Sequence, residues 1–481
     1  MKLSKILQNV LVTKIIGDEN CEIVDVVCDT NLVNKGTLFI CLNGDVYDGH
    51  NFVAQAEQYG AIAIVCEREL DCSLTQIVVE NSRIAMSCIA QNFYGNPAEK
   101  LKLIGVTGTN GKTTTSQMIH QILNYAGINC GVIGTLGAYY LGNSIESKLT
   151  TPDPLELNYI FSEMVKEGVE VVVMEISAHA SFYDKIYGLK FEIGVFTNFT
   201  QDHMDFFGTM ENYAEAKLKF LLENDVKYIV ANADDDFTLS RIPKTEKVIT
   251  YGIENPADVF AINFSRKENF TSFVVNLFDC IENVKLKLHG LYNVYNSLAA
   301  LTCCSLIGLK PNRAVSGLEL IENIPGRLEK VYDKKFEIFI DYAHTPDGLE
   351  KTLFTLKTIC KNRLICLFGC GGNRDTLKRK IMGEISGSLA DFTIVTTDNP
   401  RYEEPMEIIS QIEEGVYKKT SKYIIVQERE SAIEYAINMA EEGDVLLVAG
   451  KGREKYQEVL GIKKPYDDYS IIKEILQRKS L

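Results

Sequence analysis

The chain has 481 residues with 46% hydrophobic and 24% charged content, the composition of an ordinary soluble globular protein long enough for about three domains of ~150 residues each. A net charge of −15 argues against nucleic acid as a partner, which needs broad basic surface, but leaves room for an anionic small molecule held by a few local cations. Thirteen cysteines, an odd number without repeated pairing, do not form a disulfide framework, and no run of ~18 apolar residues exists for a membrane span, so a cytoplasmic, monomeric enzyme with no membrane or nucleic-acid partner is expected.

Residues 1–98 alternate short apolar strands with turns: Ile23–Cys28, Thr37–Cys41, Ala61–Cys66 and Gln76–Val79, with a helix over Asn51–Tyr59. Asn96-Pro97 reads as a linker. The apolar run Leu101–Val106 then enters GVTGTNGKTTT (Gly105–Thr115), and a helical pattern runs from Thr113 to Ala126. A strand, a glycine turn and Lys-Thr opening a helix form a phosphate-binding loop, in which Gly108, Thr109, Asn110, Gly111 and Thr114 supply backbone around the anion. Lys112 brings a point charge and Thr113 a hydroxyl for Mg²⁺. The spacing is unusual, because Val106 stands where the common loop has its first glycine.

Strand–helix alternation continues to about residue 327 through Val169–Met174, Ile193–Phe196 and Lys227–Ala231, which predicts a parallel sheet with helices on both faces. The strand ends of such a sheet carry ligands. Glu175-Ile-Ser-Ala-His179 follows one strand, and Thr197 to Asp205, containing Asp202-His203, follows the next; both are rich in groups that hold metals. Tyr213-Ala-Glu-Ala-Lys217-Leu-Lys-Phe220 is helical, and spacing alone reads it as a solvated face. Asn293 and Asn296 stand three apart, so their amides share one helix face and can read a purine edge, unless Asn293 is only a helix cap.

After Ile324-Pro325-Gly326 the alternation restarts: Phe336–Ile340, Leu364–Phe368, Thr393–Thr396, Tyr423–Val426 and Val445–Val448 are strands of a further domain. Four successive strand ends carry Asp341-Tyr-Ala-His344, Gly369 to Asp375 with Arg374, Asp398-Asn399-Pro400-Arg401, and Gly450-Lys-Gly-Arg-Glu454. Arg374 and Arg401 can each grip a carboxylate or phosphate with two parallel hydrogen bonds.

The ordered set GTNGKTT, TTPDP, EIS-x-H, DH-x-D, YxxAK, YNVYN, GRLE, DYAHTPD, GCGGNRD, DNPR and GKG-x-E resembles the Mur ligase family, whose members use ATP to add amino acids to UDP-N-acetylmuramoyl peptides of the bacterial cell wall. The resemblance implies an α/β fold of three domains: a small N-terminal UDP-sugar-binding domain (1–98), a central parallel-sheet ATPase domain (99–327) and a C-terminal Rossmann-like domain for the amino acid (328–481). It implies ATP and Mg²⁺ as cofactors, with Lys112, Glu175, His203 and Lys217 catalytic and with Thr113, Glu175, His203 and a carbamylated Lys217 near the metals. Lys217 is chosen over Lys219 because the Ala-Lys step of the segment falls there. Asn296, Arg327 and Asp341 match contacts to adenine, phosphate or ribose; Thr30, Thr150, Thr151, Ser177 and Lys185 match contacts to the UDP-sugar peptide. Arg374, Asp398, Asn399, Pro400, Arg401, Gly450 and Glu454 match the amino-acid side.

The motifs are those of members that add the third stem residue, and DNPR implies meso-diaminopimelate rather than L-lysine. An extra buried guanidinium suits the far carboxylate that lysine lacks. Departures from the family pattern fall at Asp29-Thr30-Asn31 for Asp-Ser-Arg, Lys185 for arginine, Ala178 for serine, Arg453 for the histidine of GKGHE, and Tyr469 for the arginine of Asp-Asp-Arg. The alternatives are a lysine-adding or divergent member, a folylpolyglutamate-synthase-like ligase, and a nucleotide-binding protein without turnover.

Overall fold

The computed structural model describes residues 1–44, 47–267 and 270–479. Three sheets follow one another along the chain, each with its own apolar core. The first orders Val12–Ile16, Thr75–Val79, Ala61–Cys66, Thr37–Ile40 and Asp25–Val27; the first strand is antiparallel and the rest are parallel. Alternation along Thr37–Ile40 sends Leu38 and Ile40 to the side of helix Ser82–Phe93, and Phe39 to that of helix Val53–Tyr59. The helix expected over Asn51–Tyr59 starts as a 3₁₀ turn, Gly49–Phe52, because Asp48 accepts the His50 N–H and caps the turn early.

The middle sheet has eleven strands. Its parallel centre orders Cys130–Gly134, Val171–Glu175, Lys102–Thr107, Lys190–Phe196, Asp225–Asn232, Val248–Gly252 and Val259–Arg266. The expected alternation holds here, and the inner strands Val171–Glu175, Lys102–Thr107 and Lys190–Phe196 are near-continuous apolar runs because both faces are covered, whereas Val259–Arg266 exposes Ile262 and Phe264. Helices Lys112–Tyr125 and Leu291–Leu306 pack on one face through Met118, Ile122, Val294 and Leu298. Helices Pro154–Lys166 and Met210–Glu223 cover the other through Phe161, Met164, Tyr213 and Phe220. Antiparallel strands extend both edges beyond the expected sheet: Gly137–Tyr140 with Asn143–Ile145, and Thr271–Leu277 with Cys280–Leu286. Thr271–Leu277 buries alternate residues only, the mark of an edge with one solvated face.

The third sheet orders Glu329–Asp333, Glu337–Asp341, Val445–Ala449, Leu364–Phe368, Phe392–Val395 and Tyr423–Ile425, parallel except for its first strand. A hairpin, Tyr456–Val459 with Ile462–Pro465, follows. The thirteen cysteines are all free, in line with the composition. Among the described residues no helix is long and apolar enough to cross a membrane.

Candidate active site

The strand ends of the middle and third sheets face one cleft of about 1090 Å³. The phosphate loop forms its floor. Gly108 (φ +133°) and Gly111 (φ +87°) hold backbone that side chains rarely adopt, and both are closely covered. A Cβ on Gly108 would lie 2.0 Å from Thr197 Oγ1, and one on Gly111 would lie 2.5 Å from Asn296 Oδ1. The loop is braced from the neighbouring strand end: Asn198 Oδ1 accepts the Asn110 N–H at 3.0 Å, and the Thr109 hydroxyl donates to the Thr200 carbonyl at 3.0 Å. Thr114 is buried on the first turn of the helix that Lys112 opens.

Thr113 Oγ1 lies 3.0 Å from Glu175 Oε2, and Glu175 is 1% exposed. The carboxylate also accepts the N–H and hydroxyl of Thr135, at 3.0 and 3.1 Å. Arg327 donates to Thr113 Oγ1 at 2.7 Å and lies over the Tyr342 ring. Lys112 Nζ rests on the Gly108 and Thr109 carbonyls at 2.9 and 2.8 Å. Desolvation lowers its pKa, with Glu175 and Asp202 opposing the shift.

Lys217 is the most unusual group in the cleft. It is 1% exposed, donates to the Gly108 carbonyl at 2.7 Å, and lies over the Tyr213 ring. Burial and the nearby Lys112 charge push its pKa well down, which favours the neutral amine. Lys219, two residues on, points away and pairs with Asp184 at 2.7 Å. The helix therefore presents Tyr213, Lys217 and Phe220 inward, and the solvated-face reading of this stretch is overturned.

Beside it lies Asp202, which sequence reasoning quoted within DH-x-D but did not single out. Its Oδ2 is 3.4 Å from His203 Nε2 and 4.0 Å from His344 Nε2. Desolvation opposes the charge on Asp202, but the two histidines and Lys378 outweigh it and lower its pKa. His203 sits at φ +56°, and burial lowers its pKa against the pull of Asp202. His179 packs edge-on to it at 5.0 Å.

Asn296 donates to Asn293 Oδ1 at 3.1 Å, and Asn293 donates to the His289 carbonyl at 2.7 Å, so the two amides share one face as their spacing predicted. Asp341 lines the cleft, but its carboxylate accepts the Leu328 and Ala343 N–H groups, so it braces the junction between sheets. Asp347, which the sequence offers only as the end of DYAHTPD, accepts from Asn110 through Oδ2 at 2.8 Å, bridging the third domain to the phosphate loop.

Toward the first domain, Thr150 Oγ1 lies 3.2 Å from Thr135 Oγ1. Thr151 donates to the Glu175 carbonyl at 2.9 Å and lies 3.3 Å from Ser177, while Lys185 pairs with Asp153 at 2.8 Å. Thr150, Thr151, Ser177 and Lys185 line the cleft; Thr30 does not, and it sits in the 3₁₀ turn Thr30–Leu32 of the first domain.

The amino-acid set forms a neighbouring cluster, of which only Arg374 lines the main cleft. The Arg401 guanidinium and the aliphatic stem of Arg374 flank Gly371: a Cβ there would lie 2.8 Å from Arg401 NH1 and 3.8 Å from Arg374 Cγ, while the Arg374 guanidinium lies 3.8 Å from Asp205. Arg401 donates to Glu458 at 3.2 Å and to the Gly372 carbonyl at 2.8 Å. Glu454 Oε2 accepts from Lys451 at 2.6 Å and Asn399 at 2.7 Å. Asp398 packs under Gly450 and accepts the Asn399 N–H, while Pro400 packs on Gly372.

Residues 22–99 match the Mur ligase family catalytic domain, 106–304 the Mur ligase middle domain and 326–452 the Mur ligase glutamate ligase domain. The chain is 43% identical to a UDP-N-acetylmuramoyl-L-alanyl-D-glutamate–2,6-diaminopimelate ligase of Clostridium acetobutylicum, over 99% of both chains. It is 42% identical to the similarly named ligase of Caldanaerobacter subterraneus, again over 99% of both. A solved structure of a ligase of that name superposes with a TM-score of 0.69 at 29% identity, covering 100% of this chain and 99% of that one. Three family matches in order, and full-length identity at this level, follow the same sequence of strand-end motifs that builds the cleft: the chain belongs to the Mur ligase family.

Proposed function

We propose that the chain is an ATP-dependent ligase that joins meso-diaminopimelate to UDP-N-acetylmuramoyl-L-Ala-D-Glu in peptidoglycan synthesis. The observation that carries the choice of amino acid is the Arg401 guanidinium beside Gly371, on the loop that also carries Arg374, in a chain that matches diaminopimelate ligases from end to end. We assign residues 1–98 to the UDP-sugar, 99–327 to ATP, and 328–481 to the amino acid. Thr30, Thr150, Thr151, Ser177 and Lys185 mark the path of the UDP-sugar peptide toward Glu175.

In this reading the substrate's terminal carboxylate attacks the γ-phosphorus of ATP, the bond to the bridging oxygen breaks, and ADP leaves an acyl phosphate. The diaminopimelate amine then attacks the acyl carbon and phosphate departs. Lys112, the loop N–H groups and Arg327 offset the charge gathered when one anion approaches another. Asn296 faces the adenine side of the loop.

Thr113 Oγ1 and Glu175 Oε2, oxygen donors 3.0 Å apart beside the phosphate loop, fit Mg²⁺, which takes a hydroxyl and a carboxylate together with substrate phosphates. A bound Mg²⁺ neutralises phosphate oxygens and orients them for in-line displacement. The neutral Lys217 amine is suited to add CO₂, forming an N–C bond and releasing a proton. The carbamate so formed is an anion beside His203 and Lys112. Asp202 keeps the His203 imidazole oriented, with a nitrogen free to bind a metal. The reading is tested by phosphate release from ATP, which should require both the UDP-muramoyl dipeptide and diaminopimelate.

A further inference from the structure

Two positions at which the sequence departs from the family motifs, Arg453 and Tyr469, meet in space. The Arg453 guanidinium carbon lies 3.5 Å from the centre of the Tyr469 ring. Its Nε and NH2 reach both oxygens of Glu329 at 2.8 and 2.6 Å. Glu329, 7% exposed at its side chain, also accepts the Gly326 N–H at 2.7 Å. Gly326 begins the junction between the middle and third sheets, and a Cβ on it would lie 2.8 Å from the Arg453 backbone nitrogen. The next residue, Arg327, is the one that donates to Thr113 at 2.7 Å. On the other side, Arg453 stands between Lys451 and Glu454, whose ion pair also binds Asn399 on the amino-acid side.

We propose that Arg453 is a positioning residue: held on Tyr469, it ties the Gly450–Glu454 loop through Glu329 to the junction that presents Arg327 to the phosphate loop, and so couples the amino-acid side to the ATP side. The inference rests on the ligase reading for its kinetic consequence. A planar guanidinium suits this place because it bonds both carboxylate oxygens while stacking on the ring, and without it Glu329 is left as a buried, uncompensated charge. Moving the guanidinium across the contact, with histidine at 453 and arginine at 469, keeps a single cation facing Glu329.

The test uses the full-length chain with R453M, R453H, Y469R and R453H/Y469R. It reads phosphate release from ATP, UDP-N-acetylmuramoyl-L-Ala-D-Glu and meso-diaminopimelate, and amide hydrogen exchange over residues 324–330. R453M should lower kcat about tenfold while the KM for diaminopimelate stays within about twofold, because a displaced Arg327 affects the reacting phosphate more than substrate capture. Exchange at Gly326 should accelerate in R453M, and the double variant should recover both rate and protection better than either single variant. Unchanged exchange at Gly326 in R453M, or an R453M kcat equal to that of an active wild type, overturns the proposal. A wild type that releases no phosphate with these substrates overturns the ligase reading instead, and the exchange measurement then decides the tether by itself.

Discussion

Replacing Arg401 by methionine tests the amino-acid site. The Arg401 backbone is pinned independently of its side chain: its N–H donates to the Glu458 carbonyl at 3.0 Å, and its own carbonyl accepts from Leu460 at 2.7 Å. Nε and NH1 are engaged by Glu458 and Gly372, while NH2 has no protein partner among the described residues. The side chain is 18% exposed and that of Glu458 is 20%, so the pair is largely desolvated, and losing it costs about 1–3 kcal/mol of stability, which a melting curve reads separately from activity. A carboxylate bonded by the free end gains a charge-assisted hydrogen bond that nets about 1.5–3 kcal/mol. At about 1.36 kcal/mol per factor of ten, Arg401→Met should lower kcat/KM for meso-diaminopimelate by about 10- to 150-fold. L-lysine has no far carboxylate, so any trace rate with it should be unchanged, as should the KM for ATP. The assay is phosphate release over a diaminopimelate titration. A diaminopimelate kcat/KM close to the wild-type value, or a loss seen mainly in the ATP dependence, would refute the reasoning.

Lys217→Ala should reduce turnover by at least about a hundredfold, the scale of losing one preorganised charge at a reacting centre, with partial restoration by a short-chain carboxylic acid. Unaltered turnover in that variant would rule out a carbamate. Arg379 is fully buried and bonds Glu403, which in turn accepts the Asn373 N–H of the loop carrying Arg374. The Arg379 guanidinium holds the Glu403 carboxyl below its ordinary value. Because the folded value is depressed, the pair's stability is fully present above the unfolded value of about 4.3 and is lost as pH falls through the folded one. Glu403→Gln should therefore cost about 3 kcal/mol near neutral pH, with the gap to wild type closing below about pH 4; a gap that stays constant in acid denaturation would contradict the pairing. Gly111→Ala places a Cβ 2.5 Å from Asn296 Oδ1 at φ +87°, adding about 1–2 kcal/mol of backbone strain to a steric clash, and should weaken ADP binding measured by calorimetry. Wild-type ADP affinity in that variant would mean that the loop does not hold the nucleotide as described.

Much of the site was legible because the motifs occupy strand ends, and strand ends of a parallel sheet converge whatever their distance along the chain. The loop at Gly105–Thr115, Glu175 and Asp202-His203 follow three strands that are adjacent in the sheet. Choosing Lys217 over Lys219 was possible from motif spacing, but only the fold shows that one amine is buried against Gly108 while the other is paired at the surface. What could not be read depends on long-range pairing. Asn110 meets Asp347 across 237 residues, and Arg453 meets Glu329 across 124. No local pattern announces either contact. Thr135 follows a strand end beside Val171–Glu175 and could have been found by asking what neighbours Glu175. The edge strands were hidden because alternating, half-polar segments such as Thr271–Leu277 lack the apolar runs that marked the buried strands.

The central claim, that Arg401 beside Gly371 selects an amino acid with a second carboxylate, is tested most directly with purified wild-type chain, ATP, Mg²⁺ and UDP-N-acetylmuramoyl-L-Ala-D-Glu. Phosphate release is compared for meso-diaminopimelate and L-lysine side by side. The account predicts release with meso-diaminopimelate at a kcat/KM at least about tenfold above that for L-lysine, the discrimination one charge-assisted hydrogen bond supplies. Release with L-lysine equal to or faster than that with meso-diaminopimelate would contradict it.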